Sequence, residues 1–177
     1  MQFLAPDMGV PIYLLYSNSK LPLSPLIRLV TSVQHRKWVK FSHVALVLGT
    51  DITDPNCRIV ESTLSGGGVR FSTVSEFKKK AKKWEMTRLH EEVSLEQYLL
   101  LNKAAAGQLY KKYDLMGIVG LGIGRNWEQP SDWWCSELVA YILKNIGMKL
   151  NGWKPTHIYT PSMCYDWPKR VIDKSVF

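Results

Sequence analysis

Asp132-Trp133-Trp134-Cys135-Ser136-Glu137-Leu138 is the stretch on which the fold turns. Beyond it Leu138, Val139, Ile142 and Leu143 recur at helical spacing and make one apolar face. Gly147 then supplies a stop signal. The spacing predicts a helix from about Trp134 to Asn145, with Cys135 in its first turn. Backbone N–H groups there have no intrahelical acceptor, and the macrodipole is positive. Such a position favours a thiolate and leaves N–H groups free to hold an oxyanion. It suits an inert thiol equally well, because free cysteine commonly packs as a small hydrophobe. Position alone leaves both readings open.

A thiolate needs a base, and the chain has four histidines. His35 and His90 stand among charged residues and are expected at the surface, while His157 lies in a loop. His43 differs, because it opens Val44-Ala45-Leu46-Val47-Leu48, a run that reads as a buried strand. There it is either a satisfied core residue or a base aimed from the sheet end toward the helix of Cys135. A Cys/His pair needs a third group to orient the imidazole. Glu61 ends Arg58-Ile59-Val60-Glu61, one strand on. It is a neighbour of His43 if the two strands pair antiparallel, and otherwise an ordinary strand-end carboxylate.

Around these residues the pattern is mixed. Strands are expected at Ile12–Tyr16, Phe41–Leu48, Arg58–Thr63, Val69–Phe71 and Trp84–Leu89, with Gly66-Gly67-Gly68 as a flexible turn. Ser24-Pro25 reads as a cap and first residue of a helix to about Val33. Ser94-Leu95-Glu96-Gln97 reads as a capping box opening a helix to about Lys112. A short helix should follow Thr160-Pro161. The order predicts an α+β domain, a small antiparallel sheet packed against helices. A length of 177 residues suits one domain over 1–177, and 46% hydrophobic residues suffice for its core.

The composition also excludes several classes. Three cysteines without CxxC or zinc spacing predict neither a disulfide framework nor a metal site, and no cofactor is expected. Cys57 and Cys164 carry no proposed chemistry and are expected to be replaceable by serine. No apolar run reaches 18 residues, so no transmembrane segment is expected. Met1–Val10 lacks a basic region and does not read as a signal peptide, which places the protein in the cytoplasm at synthesis, with release or delivery to the cell envelope by another system. The net charge is +8. Lys78, Lys79, Lys80, Lys82 and Lys83 concentrate part of it, either as a solvated helix end or as a contact for an anionic surface. No nucleic-acid motif accompanies them, and no nucleic-acid partner is expected.

Taken in order, Phe41-Ser42-His43-Val44-Ala45-Leu46-Val47, Ile59-Val60-Glu61-Ser62, Tyr113-Asp114, Trp134-Cys135-Ser136-Glu137-Leu138 and Thr160-Pro161-Ser162 resemble the circularly permuted NlpC-type papain-like cysteine hydrolases. In that group the histidine strand precedes the cysteine helix. The resemblance spans Ile12 to about Tyr165 and implies a papain-like fold. It implies that Cys135 is the nucleophile, His43 the base, Glu61 the residue orienting His43, and Tyr113 a substrate-positioning residue. Asp114–Asp132 matches no motif. The activity implied is amide or peptide hydrolysis through an acyl-enzyme, with bacterial cell-wall peptide as the expected substrate. The alternatives are a lipid ester or thioester hydrolase or acyltransferase, and a non-catalytic binding module of the same fold.

Overall fold

The computed structural model describes residues 9–19, 32, 39–117, 131–148 and 155–177. The helix expected over 24–33, apart from Ser32, and the residues 118–130 lie outside them, as does His35. Six strands form one sheet: β1 (Val10–Ser19), β2 (His43–Val47), β3 (Arg58–Thr63), β4 (Gly68–Thr73), β5 (Ala81–Val93) and β6 (Lys169–Val171). Their order across the sheet is β4-β3-β2-β1-β5-β6, and every neighbouring pair is antiparallel. Among the described residues the α-helices are α1 (Val74–Lys80), α2 (Leu95–Ala106), α3 (Cys135–Asn145) and α4 (Pro161–Tyr165). The architecture is the α+β arrangement, an antiparallel sheet packed against helices, that the sequence leads one to expect.

Strand alternation sends consecutive side chains to opposite faces, and here both faces are covered. Leu14, Tyr16, Val44, Leu46, Val60 and Val69 pack with Leu101 of α2 and with Leu138, Val139, Ile142 and Leu143 of α3. On the other face Leu15, Ala45, Val47, Ile59 and Met86 pack with Val74 and Phe77 of α1. This two-sided burial explains why β1 and β2 read as continuous apolar runs rather than alternating ones.

Several local signals form as expected. Ser94 and Gln97 make a reciprocal capping box, with each side chain bonded to the other residue's backbone N–H. Thr160 caps α4 through Met163 N–H. Gly147 takes φ +71° after α3, a conformation only glycine adopts without strain.

Other expectations shift. Helix α2 ends at Ala106 and not near Lys112, because Gly107 caps it and Gln108 turns inward to accept from Trp133 Nε1 at 3.0 Å. Helix α1 and strand β6 lack a clear period in the sequence and come as additions. Because α1 ends at Lys80, the lysine run divides: Lys78, Lys79 and Lys80 lie in its last turn, and Lys82 and Lys83 begin β5. Cys57 and Cys164 are both buried free thiols. Cys164 Sγ lies 3.9 Å from the Ser136 carbonyl under α3. They are core positions, so serine there would exchange a buried thiol for a hydroxyl.

Candidate active site

Cys135 is the first residue of α3 and is 2% exposed. The residue before it, Trp134, is the N-cap and makes no side-chain cap hydrogen bond. The helix ladder begins with Leu138 N–H to Trp134 O at 3.1 Å. The N–H groups earlier in the turn therefore have no intrahelical acceptor. The chain entering α3 is held firmly: the Trp133 carbonyl accepts from Ser62 Oγ of β3 and from Asp114 N–H at 3.4 Å. Trp133 N–H donates to Lys112 O at 3.0 Å, and its indole is fixed on Gln108. Sulfur placement thus depends on β3 and on the segment 108–114, which straps across Trp133.

His43 is the first residue of β2, at the end of the sheet. Its ring stacks on Phe77 of α1, centroids 5.4 Å apart and 20° from parallel. Its Nε2 lies 3.0 Å from Glu61 Oε2. The Cys135 side chain is its other polar neighbour, and the interaction favours the imidazolium. Register explains the carboxylate contact. Leu46 pairs with Val60 and Val47 with Ile59. Continued toward the sheet end, this register sets Glu61 opposite Ala45, two residues along from His43 on the same face. That diagonal is within reach of long side chains.

The electrostatics follow from these contacts. Burial works against the His43 imidazolium, but hydrogen bonds to Cys135 and Glu61, with their negative charges, more than offset it and lift its pKa to about 10. Burial would raise the Glu61 carboxyl, yet His43 and Arg70 together hold it below the usual carboxylate value. For the partly buried Tyr113, burial pushes the phenol well up, reinforced by charge on Cys135 and Asp114. Tyr113 is therefore within electrostatic reach of the sulfur.

The structure accordingly brings Cys135, His43, Glu61 and Tyr113 to one place. His90 is exposed and apart from them. Sequence reasoning missed three neighbours. Phe77 sits in the helix that carried no clear period. Ser62 acts through a backbone carbonyl, which leaves no motif. Arg70 was legible in principle: the turn at Gly66-Gly67-Gly68 sets Glu61 opposite Arg70 in the β3–β4 hairpin, as observed.

Comparison with known proteins identifies the family and the fold. Residues 14–162 match the family model described as permuted papain-like amidase enzyme, YaeF/YiiX, C92 family. No protein among those with curated descriptions matches the chain. Among solved structures, the chain is similar to the crystal structure of the metalloprotein YiiX from Escherichia coli O157:H7, at 17% identity and a TM-score of 0.67. The match covers 94% of this chain and 97% of that one, and it shows a shared fold. Among the described residues here, no group of three or more His, Cys, Asp or Glu is placed to hold a metal ion. A histidine strand ahead of a cysteine helix that packs on the same antiparallel sheet, and a family match over most of the chain, lead to one conclusion: the protein belongs to the permuted papain-like amidases of the YaeF/YiiX type, a family of cysteine amidases and peptidases.

Proposed function

We propose that Cys135 is the nucleophile, His43 the general base and acid, Glu61 the residue that orients His43, and that the substrate is an amide in cell-wall peptide. The observation carrying this reading is the chain of contacts from the Cys135 side chain through the His43 ring to Glu61 Oε2. With the thiol proton held on His43, the Cys135 sulfur attacks the amide carbonyl. First-turn N–H groups of α3 stabilise the resulting oxyanion. The tetrahedral adduct collapses, its C–N bond breaks, and the amine leaves with the proton from His43. His43 then takes a proton from water, which attacks the thioester, releasing the acid and restoring the thiol. Tyr113, within electrostatic reach of the sulfur, is assigned to substrate positioning.

The basic surface bears on the substrate. Lys79, Lys80, Lys82 and Lys83 are exposed, and α1, which carries three lysines of the run, also carries Phe77 against His43. A polyanionic substrate surface, such as wall polymer, would be drawn to that side of the molecule. A second reading has its own support. Lys78 and Lys174 lie over the Trp84 ring at 4.4 and 4.8 Å, and Val176 and Phe177 are exposed nearby in sequence and space. Aromatic and apolar groups among lysines suit an anionic lipid surface, as a lipid acyl hydrolase would need. Among the described residues no helix is long and apolar enough to cross a membrane.

Purified protein incubated with muropeptides from digested sacculi should release free amines, and Cys135→Ala should release none. Full activity in Cys135→Ala would overturn the mechanism. Fatty-acid release from anionic vesicles without muropeptide cleavage would replace the first substrate with the second.

A further inference from the structure

Glu61 divides its two oxygens between two partners. Oε2 meets His43 Nε2, while Oε1 accepts from Arg70 Nη2 at 2.7 Å and Arg70 Nε at 3.1 Å. The carboxylate is 4% exposed and the guanidinium 29%, so the contact is sheltered on the Glu61 side and open to solvent on the other. Arg70 is the direct cross-strand partner of Glu61. Its side chain is also held by the hairpin turn. A Cβ on Gly66 would come within 2.7 Å of Arg70 Cδ and Nε, so glycine there is what lets the turn lie against the guanidinium stem. We propose that Arg70 is a positioning residue of the amide-cleaving site, fixing the Glu61 carboxylate so that its second oxygen addresses His43. The proposal rests on the Cys135–His43–Glu61 reading above.

The chemistry supports it. A carboxylate buried with only a histidine can rotate away or accept the histidine's proton as a neutral pair. A guanidinium does not lose its proton at any working pH and binds through a planar fork, so it fixes both charge and rotamer. The other charged and titratable groups around the pair do not substitute for it. His43 from β2 and, behind it, Cys135 from α3 are the catalytic pair itself, with Tyr113 within electrostatic reach of Cys135. Glu76 from α1 is within electrostatic reach of Arg70, but its carboxylate accepts from Ser72 Oγ at 2.6 Å. Among the described residues, Arg70 and His43 are the ion-pair partners of Glu61.

The test uses the full chain and iodoacetamide, whose reaction with Cys135 is followed by mass spectrometry from pH 4 to 10. Wild-type Cys135 should react faster than Cys57 and Cys164, and its rate should fall at the acid end as Glu61 protonates and releases His43. In Arg70→Gln the acid limb should move to higher pH, as Glu61 protonates more readily. The rate at neutral pH should fall roughly 10- to 100-fold, the range usual for groups that orient a histidine from behind. Arg70→Lys keeps the charge without the fork, so it should keep the acid limb and lose part of the rate. In a Glu61→Gln background, Arg70→Gln should cost little more, because the two act as a unit. If wild-type Cys135 reacts no faster than the other cysteines, the catalytic reading falls and the role of Arg70 with it. If Cys135 is reactive but Arg70→Gln leaves rate and limb unchanged, or costs as much again without Glu61, Arg70 alone is displaced from this role. Should Arg70→Gln lose the near-ultraviolet circular dichroism of the fold, Arg70→Lys decides the question: a wild-type rate there would overturn the proposal.

Discussion

His43 holds its proton to about pH 10 against its own burial, so the charge supplied by each partner can be measured by removing them singly. Relative to an ordinary value of 6.5, the lift corresponds to about 5 kcal/mol, taking about 1.4 kcal/mol per pH unit. It is a net figure, because burial opposes it. Glu61→Gln keeps the shape at Nε2 and removes the charge. A hydrogen bond to a charged group contributes roughly 1.5–3 kcal/mol, so the imidazole titration should fall by about one to two pH units. Cys135→Ala removes the other partner and should also lower it. With both replaced only burial remains, and the midpoint should drop below the ordinary 6.5. The assay is an NMR titration of ring-labelled histidine, with His43→Gln assigning the resonance. It needs no substrate, which separates the electrostatics from the identity of the bond cleaved. A midpoint in Glu61→Gln equal to wild type would refute the reasoning, as would a double variant still titrating above 6.5.

Three further outcomes follow from the same contacts. Ser62→Ala removes one of two donors to the Trp133 carbonyl; urea unfolding should show a loss of about 1 kcal/mol, and Cys135 alkylation should slow because the entry to α3 is less firmly held. Leu138→Ala empties a fully buried position on the apolar face of α3 and should cost about 2–5 kcal/mol, measured by the same unfolding. Stability should also depend on pH in a stated direction. The raised His43 value contributes stability in full below 6.5 and loses it as pH rises through about 10. The lowered Glu61 value contributes above 4.5 and is lost as pH falls below it. A thermal midpoint in wild type should therefore fall between pH 7 and 10, and His43→Gln should flatten that decline; equal slopes in the two proteins would contradict it.

The cysteine helix was legible because its evidence is local. Apolar spacing over Leu138–Leu143 and the stop at Gly147 lie within one segment, and periodicity reads such segments well. The same holds for the capping box at Ser94 and the short helix after Thr160, whose signals are carried by three or four adjacent residues. The pairing of His43 with Glu61 needed one further assumption, antiparallel neighbours, and the chain order of the strands made that a natural one. The order of motifs carried the family likeness, since it survives where no single motif is specific. Tertiary structure decided what depends on residues far apart in sequence. Helix α1 has only seven residues and little pattern of its own; it is helical because Val74 and Phe77 fill the second face of the sheet, and that placement is what stacks Phe77 on His43. Ser62 meets Trp133 across 71 positions of sequence, through a carbonyl common to every residue type. The early end of α2 likewise follows from Gln108 finding the Trp133 indole, a long-range bond that competes with continuing the helix. Arg70 falls between the two cases. Hairpin register sets it opposite Glu61, but only packing buries the carboxylate so that a fixed cation beside it has something to hold. Local spacing is written in the chain, whereas burial, which makes each of these polar contacts count for more, exists only once the sheet and helices have closed around them.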